Sequence, residues 1–449
     1  VFMHHPFFSA DCFCQSVFAL LLQSPSIYNY GDSKDYGKSS ISLYTPEMLY
    51  MAALYNDPLA AKLVVQNMNP YWSTGEQLAM SLLWYDTSMP DTDESMPLDA
   101  YDESNGVITM RDRWNRSVQN FVGIHAGKTN TDHGHLDGAS FVFDSMGIRW
   151  AKDTGMGNYN QTGYWDEKDG GDRWKIFKLR AEAHNCIVIN PDENQDQIWA
   201  SEAPITRHET DDFGGITLVN TSELYAKNAA ASRRGFFFTD NRQSLVVRDE
   251  IDLKKESDIY WFMMTYSDTV MTKEDDRTVI LTQNGKKLKL TFVTDAETAE
   301  ISYGAAEPLA ESYHNPEDAA VDANRLAIKI HGSGSVSITV KLTPMGIEAS
   351  PVSAYNKPMN TWELPHLTAE KTNGGCNISG TAYCPEGSTA FLAIVTKKDG
   401  VIRDISVQPC SGGYININTA VPCNNDEYVS AYLMTDKLAP LCKRADANP

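Results

Sequence analysis

Short runs in which apolar and polar residues alternate dominate the chain from Val107 onward. Successive side chains of a β-strand point to opposite faces, so this alternation predicts strands with one buried face. Runs such as NFVGIHAG, SLVVRDEID and KLKLTFVT follow one another with polar turns between them. Asn284-Gly285 separates two such runs and is typical of a two-residue type I′ hairpin. We therefore expect antiparallel sheets packed as a β-sandwich over residues 106–350.

A helical pattern precedes the strands, over residues 41–85. Thr45-Pro46 and Asp57-Pro58 each place a capping side chain before a proline at the first helical position. Thr74-Gly75-Glu76-Gln77 has the form of a capping box. The connections between these helices are short, so antiparallel helical hairpins are expected.

Two further segments complete the predicted organisation. Residues 89–105 are acidic, contain prolines and carry no basic residue, which is typical of a linker. Residues 351–449 again show alternation, in TAFLAIVTK and YVSAYLMT, and are expected to form a small β-sandwich accessory domain. The predicted fold class is therefore α+β, mostly β.

Charge and hydropathy narrow the range of partners. The formal net charge is -21 and the pI is about 4.8, so nucleic acid and anionic membranes would be repelled. The chain has no run of about 18 apolar residues, so membrane insertion is not expected. The first residues, VFMHHPFFSADCFCQ, make a poor signal peptide and resemble the middle of a longer protein.

Cysteines concentrate at the C-terminal end of the chain. Cys376, Cys384, Cys410, Cys423 and Cys442 all fall in the last hundred residues, and no CxxC pair occurs. A zinc ribbon is therefore not expected. Disulfides in an oxidising compartment and free buried thiols are both open interpretations.

Histidines and aspartates recur near the ends of predicted strands. In NTDHGHLDGASF, His133, His135 and Asp137 are two residues apart, so a strand would place all three on one face. Asp153 ends the next predicted strand and His184 begins a later one. Imidazole and carboxylate groups are zinc ligands, although an isolated histidine is more often a hydrogen-bonded core residue.

A long Gly-rich and aromatic segment, GMGNYNQTGYWDEKDGGDRW, lies close to these residues in sequence. Aromatic rings cover the apolar faces of sugars, and arginine pairs with carboxylates such as those of uronic acids. The alternative interpretation is a surface loop anchored by a few aromatic residues. The predicted substrate-binding residues are Trp150, Asn158, Tyr159, Tyr164 and Arg173.

The segments NTDHGHLDGASFVFDSMGIRWAKDTG and RWKIFKLRAEAHNCIVIN together resemble the heparinase II/III-like β-sheet domain of polysaccharide lyases. YNYGDS, at residues 28–33, is similar to a motif near the end of the helical toroid that these lyases carry. The resemblance covers roughly residues 25–345. It implies that residues 1–88 are the last helices of an (α/α) toroid that precedes the β-sandwich.

The resemblance also implies roles for individual residues. His133 would be catalytic, neutralising a uronate carboxylate or aiding proton transfer. His135, Asp153 and His184 match the ligands of a structural zinc, and Asp137 would orient an imidazole. The implied reaction is β-elimination on a uronic-acid polysaccharide of the heparin, heparan sulfate or alginate type.

The same resemblance sets expectations for partners and location. The partner would be an anionic polysaccharide or oligosaccharide, and the chain is also compatible with a homodimer. The implied location is secreted, periplasmic or at the surface of a bacterial cell.

The chain departs from the family pattern in its helical part, where no tyrosine matches the catalytic one of the family. The chain alone is therefore expected to be a poor lyase, unless Tyr159 or Tyr164 supplies the phenol. Two other functions stay open. One is a non-catalytic glycan-binding fragment. The other is a cupin-like metal enzyme, against which Ala139, Ser140 and Phe141 stand where a cupin needs a glutamate.

Overall fold

The computed structural model of the protein describes residues 28–33, 47–67, 75–89, 97–114 and 118–448. Its α-helices lie near the start of the described chain. The side chain of Asp57 caps the second of them, because Oδ1 accepts a hydrogen bond of 2.9 Å from the backbone N–H of Ala60. The helices are α1 (Glu47–Tyr55), α2 (Pro58–Asn67) and α3 (Gly75–Trp84).

Antiparallel strands make up most of the remaining chain and form three principal sheets up to Pro344. The five-stranded sheet has the order β1-β2-β3-β5-β6, with β1 (Asp99–Asp102), β2 (Val107–Arg111), β3 (Phe121–His125), β5 (Ser140–Ser145) and β6 (Ile148–Ala151). The four-stranded sheet has the order β17-β18-β13-β7, with β7 (Ile187–Ile189), β13 (Ser257–Thr265), β17 (Thr298–Ala305) and β18 (Asn324–Gly332).

The third sheet has eight strands in the order β14-β15-β16-β19-β12-β11-β10-β9. Two short strands, β4 (Gly127–Lys128) and β8 (Glu202–Ala203), pair with each other. The eight strands are β9 (Ile205–Asp211), β10 (Gly214–Asn220), β11 (Ala229–Thr239), β12 (Ser244–Leu253), β14 (Val270–Lys273), β15 (Thr278–Gln283), β16 (Lys286–Thr294) and β19 (Ser335–Pro344).

One hydrophobic core joins these three sheets. It includes Phe141 from the five-stranded sheet, Trp261 from the four-stranded sheet and Phe236 from the eight-stranded sheet, all fully buried. The ring of Phe141 lies 5.8 Å from that of Phe236 and 6.2 Å from that of Trp261. The sheets therefore pack as layers around a shared interior, and loops at their edges are available for function.

The C-terminal part contains two smaller sheets with their own core. Short 3₁₀ turns at Val352–Tyr355 and Met359–Thr361 pack with Trp362 against Phe237 of the large sheet. The two sheets, in the orders β20-β21-β24 and β23-β22-β25-β26, comprise β20 (His366–Thr372), β21 (Gly375–Tyr383), β22 (Ala390–Lys398), β23 (Val401–Cys410), β24 (Tyr414–Pro422), β25 (Tyr428–Thr435) and β26 (Ala445–Ala447).

The predicted fold class is confirmed, since the described chain is mostly β with several antiparallel sheets. Asn284 and Gly285, with φ of 48° and 72°, join β15 to β16 as the type I′ signal predicts. The predicted linker, residues 89–105, is not a linker throughout, because it contains β1. Arg242 makes two hydrogen bonds to Asp99 of this strand. Among the described residues no helix is long and apolar enough to cross a membrane.

Some predictions concern residues outside the described ranges. The caps at Thr45-Pro46 and Thr74 and the N-terminal segment up to residue 27 belong to this group. The toroid assignment and the domain boundaries stay predictions.

Candidate catalytic and metal site

The segment that carries His133 and His135 is a loop, residues 129–139, and the prediction of a strand there is wrong. His133 and Ala139 have φ of 59° and 63°, in the left-handed region that a strand excludes. The polar, Gly-containing sequence NTDHGH favours such turns. The three groups consequently do not share a face: half of the His133 side chain is exposed, whereas His135 and Asp137 are buried.

Asp32, from the segment 28–33, connects both histidines. Its Oδ2 lies 3.0 Å from Nδ1 of His133, and its Oδ1 lies 2.9 Å from Nε2 of His135. The Tyr164 hydroxyl donates to Oδ1, and Arg173 donates to Oδ2 at 3.2 Å. Four side chains from three parts of the chain therefore contact this buried carboxylate. It holds the loop of residues 129–139, the histidine loop, against the segment 28–33.

Local packing explains why this segment reaches the site. Tyr28 is buried against Gly123 of β3, where a Cβ would lie 2.8 Å from the tyrosine ring. The ring of Tyr30 stacks on His125 with centroids 4.4 Å apart. Gly31 has φ of 60° and lies against the His133 carbonyl, so a side chain there would be both strained and obstructed.

Behind His133, buried groups with the chemistry of a metal site converge. Nδ1 of His135 lies 3.3 Å from Nε2 of His184, and a carboxylate oxygen of Asp137 lies within 4.8 Å of both histidine ligand atoms. Ligands of a tetrahedral zinc are separated by about 3.3 Å when each bond is about 2.0–2.1 Å. Oδ2 of Asp137 is buried and has no hydrogen-bond partner among the described residues. The donor set therefore fits a zinc ion.

Asp153 lies on the opposite side of His184. Its Oδ2 is 2.9 Å from Nδ1 of that ring, and its Oδ1 accepts a hydrogen bond from the Gly155 N–H. The structure thus brings His135, Asp153 and His184 together in a line rather than around one point. In this geometry Asp153 faces the far nitrogen of His184, as Asp32 faces the far nitrogen of His135, and the carboxylate near the two remaining ring nitrogens is that of Asp137.

Charges inside the site follow from these contacts. Burial by itself raises the pKa of Asp32, but hydrogen bonds from His135 and Tyr164 hold that pKa well below its usual range. Burial lowers the pKa of His135, and the neighbouring His184 lowers it further. Burial also acts to lower the pKa of His184, but Asp153 raises it above the ordinary value. An N–H of His184 directed at Asp153 agrees with this direction.

Arg234 of β11 and Asn185, in the turn before β7, hold the site-bearing segments. Arg234 of β11 makes two hydrogen bonds to Asp249, and its Nη1 donates to the carbonyls of Ala139 and Asn185. The Asn185 side chain donates to the carbonyls of Phe141 and Lys152 and accepts from the Met264 N–H. The end of the histidine loop and the residue after His184 are therefore fixed to the same buried ion pair.

An aromatic surface lies beside His133. The Tyr159 hydroxyl is 3.2 Å from Nδ1 of His133, and the two rings stack with centroids 6.0 Å apart. Trp165, which is 54% exposed, contacts the edges of both rings. His133, Tyr159 and Trp165 thus form an exposed surface that we call the aromatic platform.

The predicted substrate-binding residues divide into two groups. Tyr159 and Asn158 lie at the surface. Trp150 lies in the hydrophobic core and donates to the Ser145 carbonyl, so it cannot contact a sugar. Arg173 is fully buried and donates to Asp32, Tyr164 and Gly134, and Tyr164 itself lies beneath Tyr159. Arg173 and Tyr164 therefore lie beneath the exposed residues of the site and support them.

Three members of the site were not among the residues predicted from the sequence: Asp32, His125 and Trp165. His125 ends β3 and lies 3.1 Å from Oδ1 of Asp137. Asp32 belongs to the YNYGDS motif, but the motif by itself indicates no role for the carboxylate. Nothing in the local sequence of β3 indicates that His125 meets Asp137.

Comparisons with known proteins agree with this architecture. No curated protein matches the chain. Among solved structures, heparan sulfate lyase HepC from Pedobacter heparinus is similar, with a TM-score of 0.53 and 11% identity over 92% of this chain and 52% of that one. A structure titled Heparinase III has a TM-score of 0.51 and 13% identity over 92% of this chain and 54% of that one.

These similarities establish the fold, and the chain spans about half the length of the solved relatives that it matches. A family model provides the assignment. The model described as Heparinase II/III-like, C-terminal, matches residues 105–350, which include the histidine loop, Asp153, His184 and every strand of the three principal sheets except β1. Because the match covers more than half of the chain, the protein belongs to the heparinase II/III-like family.

Proposed function

We propose that the protein is a polysaccharide lyase that cleaves uronic-acid-containing polysaccharides by β-elimination. Family membership and an exposed histidine beside a tyrosine support this proposal. The solved relatives include heparan sulfate lyases, so heparan sulfate and heparin are the first candidate substrates, with alginate as a second class. Such polymers lie outside cells, which suits a secreted, periplasmic or surface location.

The observation that carries the proposal is the environment of His133. Its Nδ1 faces the Asp32 carboxylate at 3.0 Å. A carboxylate only accepts hydrogen bonds, so Nδ1 carries the proton. Nε2 is then the basic nitrogen of the neutral ring, and it has no partner among the described residues. We propose that His133 Nε2 removes the proton at C5 of the uronate, with Asp32 holding the ring in the required tautomer.

Tyr159 is positioned to complete the proton transfer. Burial and the nearby Asp32 charge raise the pKa of its phenol, which favours the protonated form at neutral pH. A protonated phenol can donate to the C4 oxygen as that bond breaks. Tyr159 would thereby take the role of the catalytic tyrosine that the family resemblance implies. Trp165 would stack on a neighbouring sugar ring.

We propose a structural role for zinc at His135 and His184, with Asp137 or Asp153 as the carboxylate ligand. When bound, the ion would cross-link the histidine loop to the segment before β7. His133 would then act on the substrate, since it lies on the exposed side of the histidine loop.

Product formation tests the proposal directly. The protein is incubated with heparan sulfate, heparin, alginate and oligoalginate, and unsaturated uronates are followed by their ultraviolet absorbance. We expect His133→Ala to lower turnover by at least about 10²-fold, with unchanged zinc content. His366→Ala, at an exposed histidine of the C-terminal part, is the matched control. Equal turnover in both variants would contradict the role of His133.

Glycan binding without cleavage is the second candidate, favoured by the exposed aromatic platform. It predicts that oligosaccharide affinity falls in Trp165→Ala while no unsaturated product forms with any substrate. Calorimetric titration with size-defined oligosaccharides, carried out beside the absorbance assay, separates the two functions.

A further inference from the structure

Lys371, Cys376 and Cys423 lie together at one end of the three-stranded C-terminal sheet. Lys371 of β20 is paired directly opposite Cys376 of β21, and Cys376 is opposite Val421 of β24. Cys423 lies two residues after Val421, just past the end of β24. Both cysteines are buried in the C-terminal core, and both have free thiols.

The Lys371 ammonium is held against one of these thiols. Its Nζ lies 3.3 Å from Sγ of Cys423. The same ammonium donates to the carbonyl of Asn424 at 2.9 Å and to the carbonyl of Glu427. A fixed cation beside a thiol stabilises the thiolate, which is the nucleophilic form.

Cys423 also has a route to solvent. It lines a surface pocket of about 370 Å³. An electrophile of modest size that enters this pocket would lie beside Cys423. The other lining residues are Asn373, Gly374, Pro422, Asn424, Asn425 and Glu427.

We propose that Cys423 is a modification site that reacts with low-molecular-weight disulfides and that Cys376 resolves the product. The Cys423 thiolate attacks one sulfur of the reagent, whose S–S bond breaks and releases one thiolate. Cys376 then attacks the Cys423 sulfur of the mixed disulfide and releases the second thiolate. The protons of the two cysteines pass to the two released thiols, so the reagent is reduced and a Cys376–Cys423 disulfide forms.

The second step needs the two sulfurs to meet, and both cysteines belong to the same buried core. The last paired residues of this ladder are Gly375 and Pro422, so Cys423 begins a turn rather than continuing the strand. The new bond would join β21 to the turn after β24 and close the loop from Cys376 to Cys423, which stabilises the fold.

The test uses glutathione disulfide with the full chain, in which Cys12 and Cys14 are replaced by serine. Peptide mass mapping should find the Cys376–Cys423 cross-link before any change at Cys384 or Cys410, together with a higher midpoint of thermal unfolding. Cys376→Ser should accumulate the glutathione adduct at Cys423. Lys371→Met should react several-fold more slowly, because the cation that lies beside the Cys423 sulfur is removed.

Cys384→Ser is the control, and it should form the same cross-link at the same rate. First modification of Cys384 or Cys410, an unmodified Cys423 or an unchanged rate in Lys371→Met would overturn the proposal. Because the readout is mass and reaction rate, it does not depend on lyase activity.

Discussion

Oδ2 of Asp32 lies 3.0 Å from Nδ1 of His133, although 101 residues separate the two in sequence. The Asp32 backbone N–H also donates to the His133 carbonyl at 2.9 Å. Both the side chain and the backbone of the proposed catalytic histidine are therefore positioned by the segment 28–33. A residue outside the matched family domain sets the geometry of one inside it.

The first prediction follows from this contact. Asp32→Asn should lower turnover by about 10²–10⁴-fold, because an amide can donate to Nδ1 and stabilise the wrong tautomer of His133. A merely structural role would change stability alone. The measurement is therefore the pH profile of kcat beside the thermal midpoint. A kcat profile equal to that of the unmodified protein, with only a lower midpoint, would contradict a positioning role for Asp32.

Substitutions of Tyr159 and Tyr164 should distinguish a catalytic role from a structural one. Tyr159→Phe removes the hydroxyl beside His133, so we expect kcat to fall by about 10²-fold with little change in stability. Tyr164→Phe removes a donor to buried Asp32 and should cost about 1–3 kcal/mol of unfolding free energy. Steady-state kinetics and urea denaturation of both variants provide the comparison. The opposite pattern would assign the proton donor to Tyr164.

Alternation of apolar and polar residues was sufficient to predict most of the β architecture. Most strands of the three principal sheets bury one face or both, and runs such as SLVVRDEID and KLKLTFVT correspond to β12 and β16. The histidine loop was missed because alternating residue types can also arise in a turn. There the positive φ of His133 and Ala139 breaks the two-residue period.

Local pattern was also insufficient for side-chain roles. Trp150 and Arg173 have residue types suited to sugar binding, but tertiary packing buries both. Asp32 and His125 owe their importance to partners that are distant in sequence, Asp32 to His133 and His135, and His125 to Asp137. No spacing rule within one segment can indicate such contacts, whereas the histidine-containing segments that carry the family resemblance lie within the matched domain.

Zinc content should distinguish the two aspartates near His184. His135→Ala and His184→Ala should abolish zinc binding. If Asp137 is the carboxylate ligand, Asp137→Asn should lose the metal nearly as completely. Asp153→Asn should then weaken binding by about 10–100-fold, as expected for a partner that orients a ligand. Elemental analysis during titration with a chelator measures each affinity. The reverse order would assign Asp153 as the ligand, as the family resemblance implies.

Arg234 should be among the most costly residues to replace. Arg234→Met leaves Asp249 charged, buried and unpaired, and breaking such a pair costs about 3–5 kcal/mol. The neighbouring Arg233→Met is the matched control, because Arg233 is half exposed and its pair with Glu250 is worth about 1 kcal/mol or less. Urea denaturation measures both. Equal losses in the two variants would contradict the bracing role of Arg234.

The last prediction concerns pH and the pair of strands β13 and β18. Nδ1 of His331 lies 2.7 Å from Asp258, and Nε2 lies 2.8 Å from Glu256. Hydrogen bonds to these two carboxylates raise the pKa of His331 in the folded state. Lys329 also faces this cluster and pairs with Asp258. Because both ring nitrogens face acceptors, the doubly protonated imidazolium is the favoured form.

The sign of the stability effect follows from that direction. A pKa raised above its unfolded value of about 6.5 gives stability that is fully present below that pH and is lost as the pH rises through the folded pKa. His331→Gln should therefore lower the thermal midpoint most near about pH 5.5, with a difference that disappears at about pH 9. His314→Gln is the control, since the His314 ring contacts the Leu309 carbonyl instead of a carboxylate. A pH-independent difference for His331→Gln would show that packing, and not the charge of the imidazole, stabilises this pair of strands.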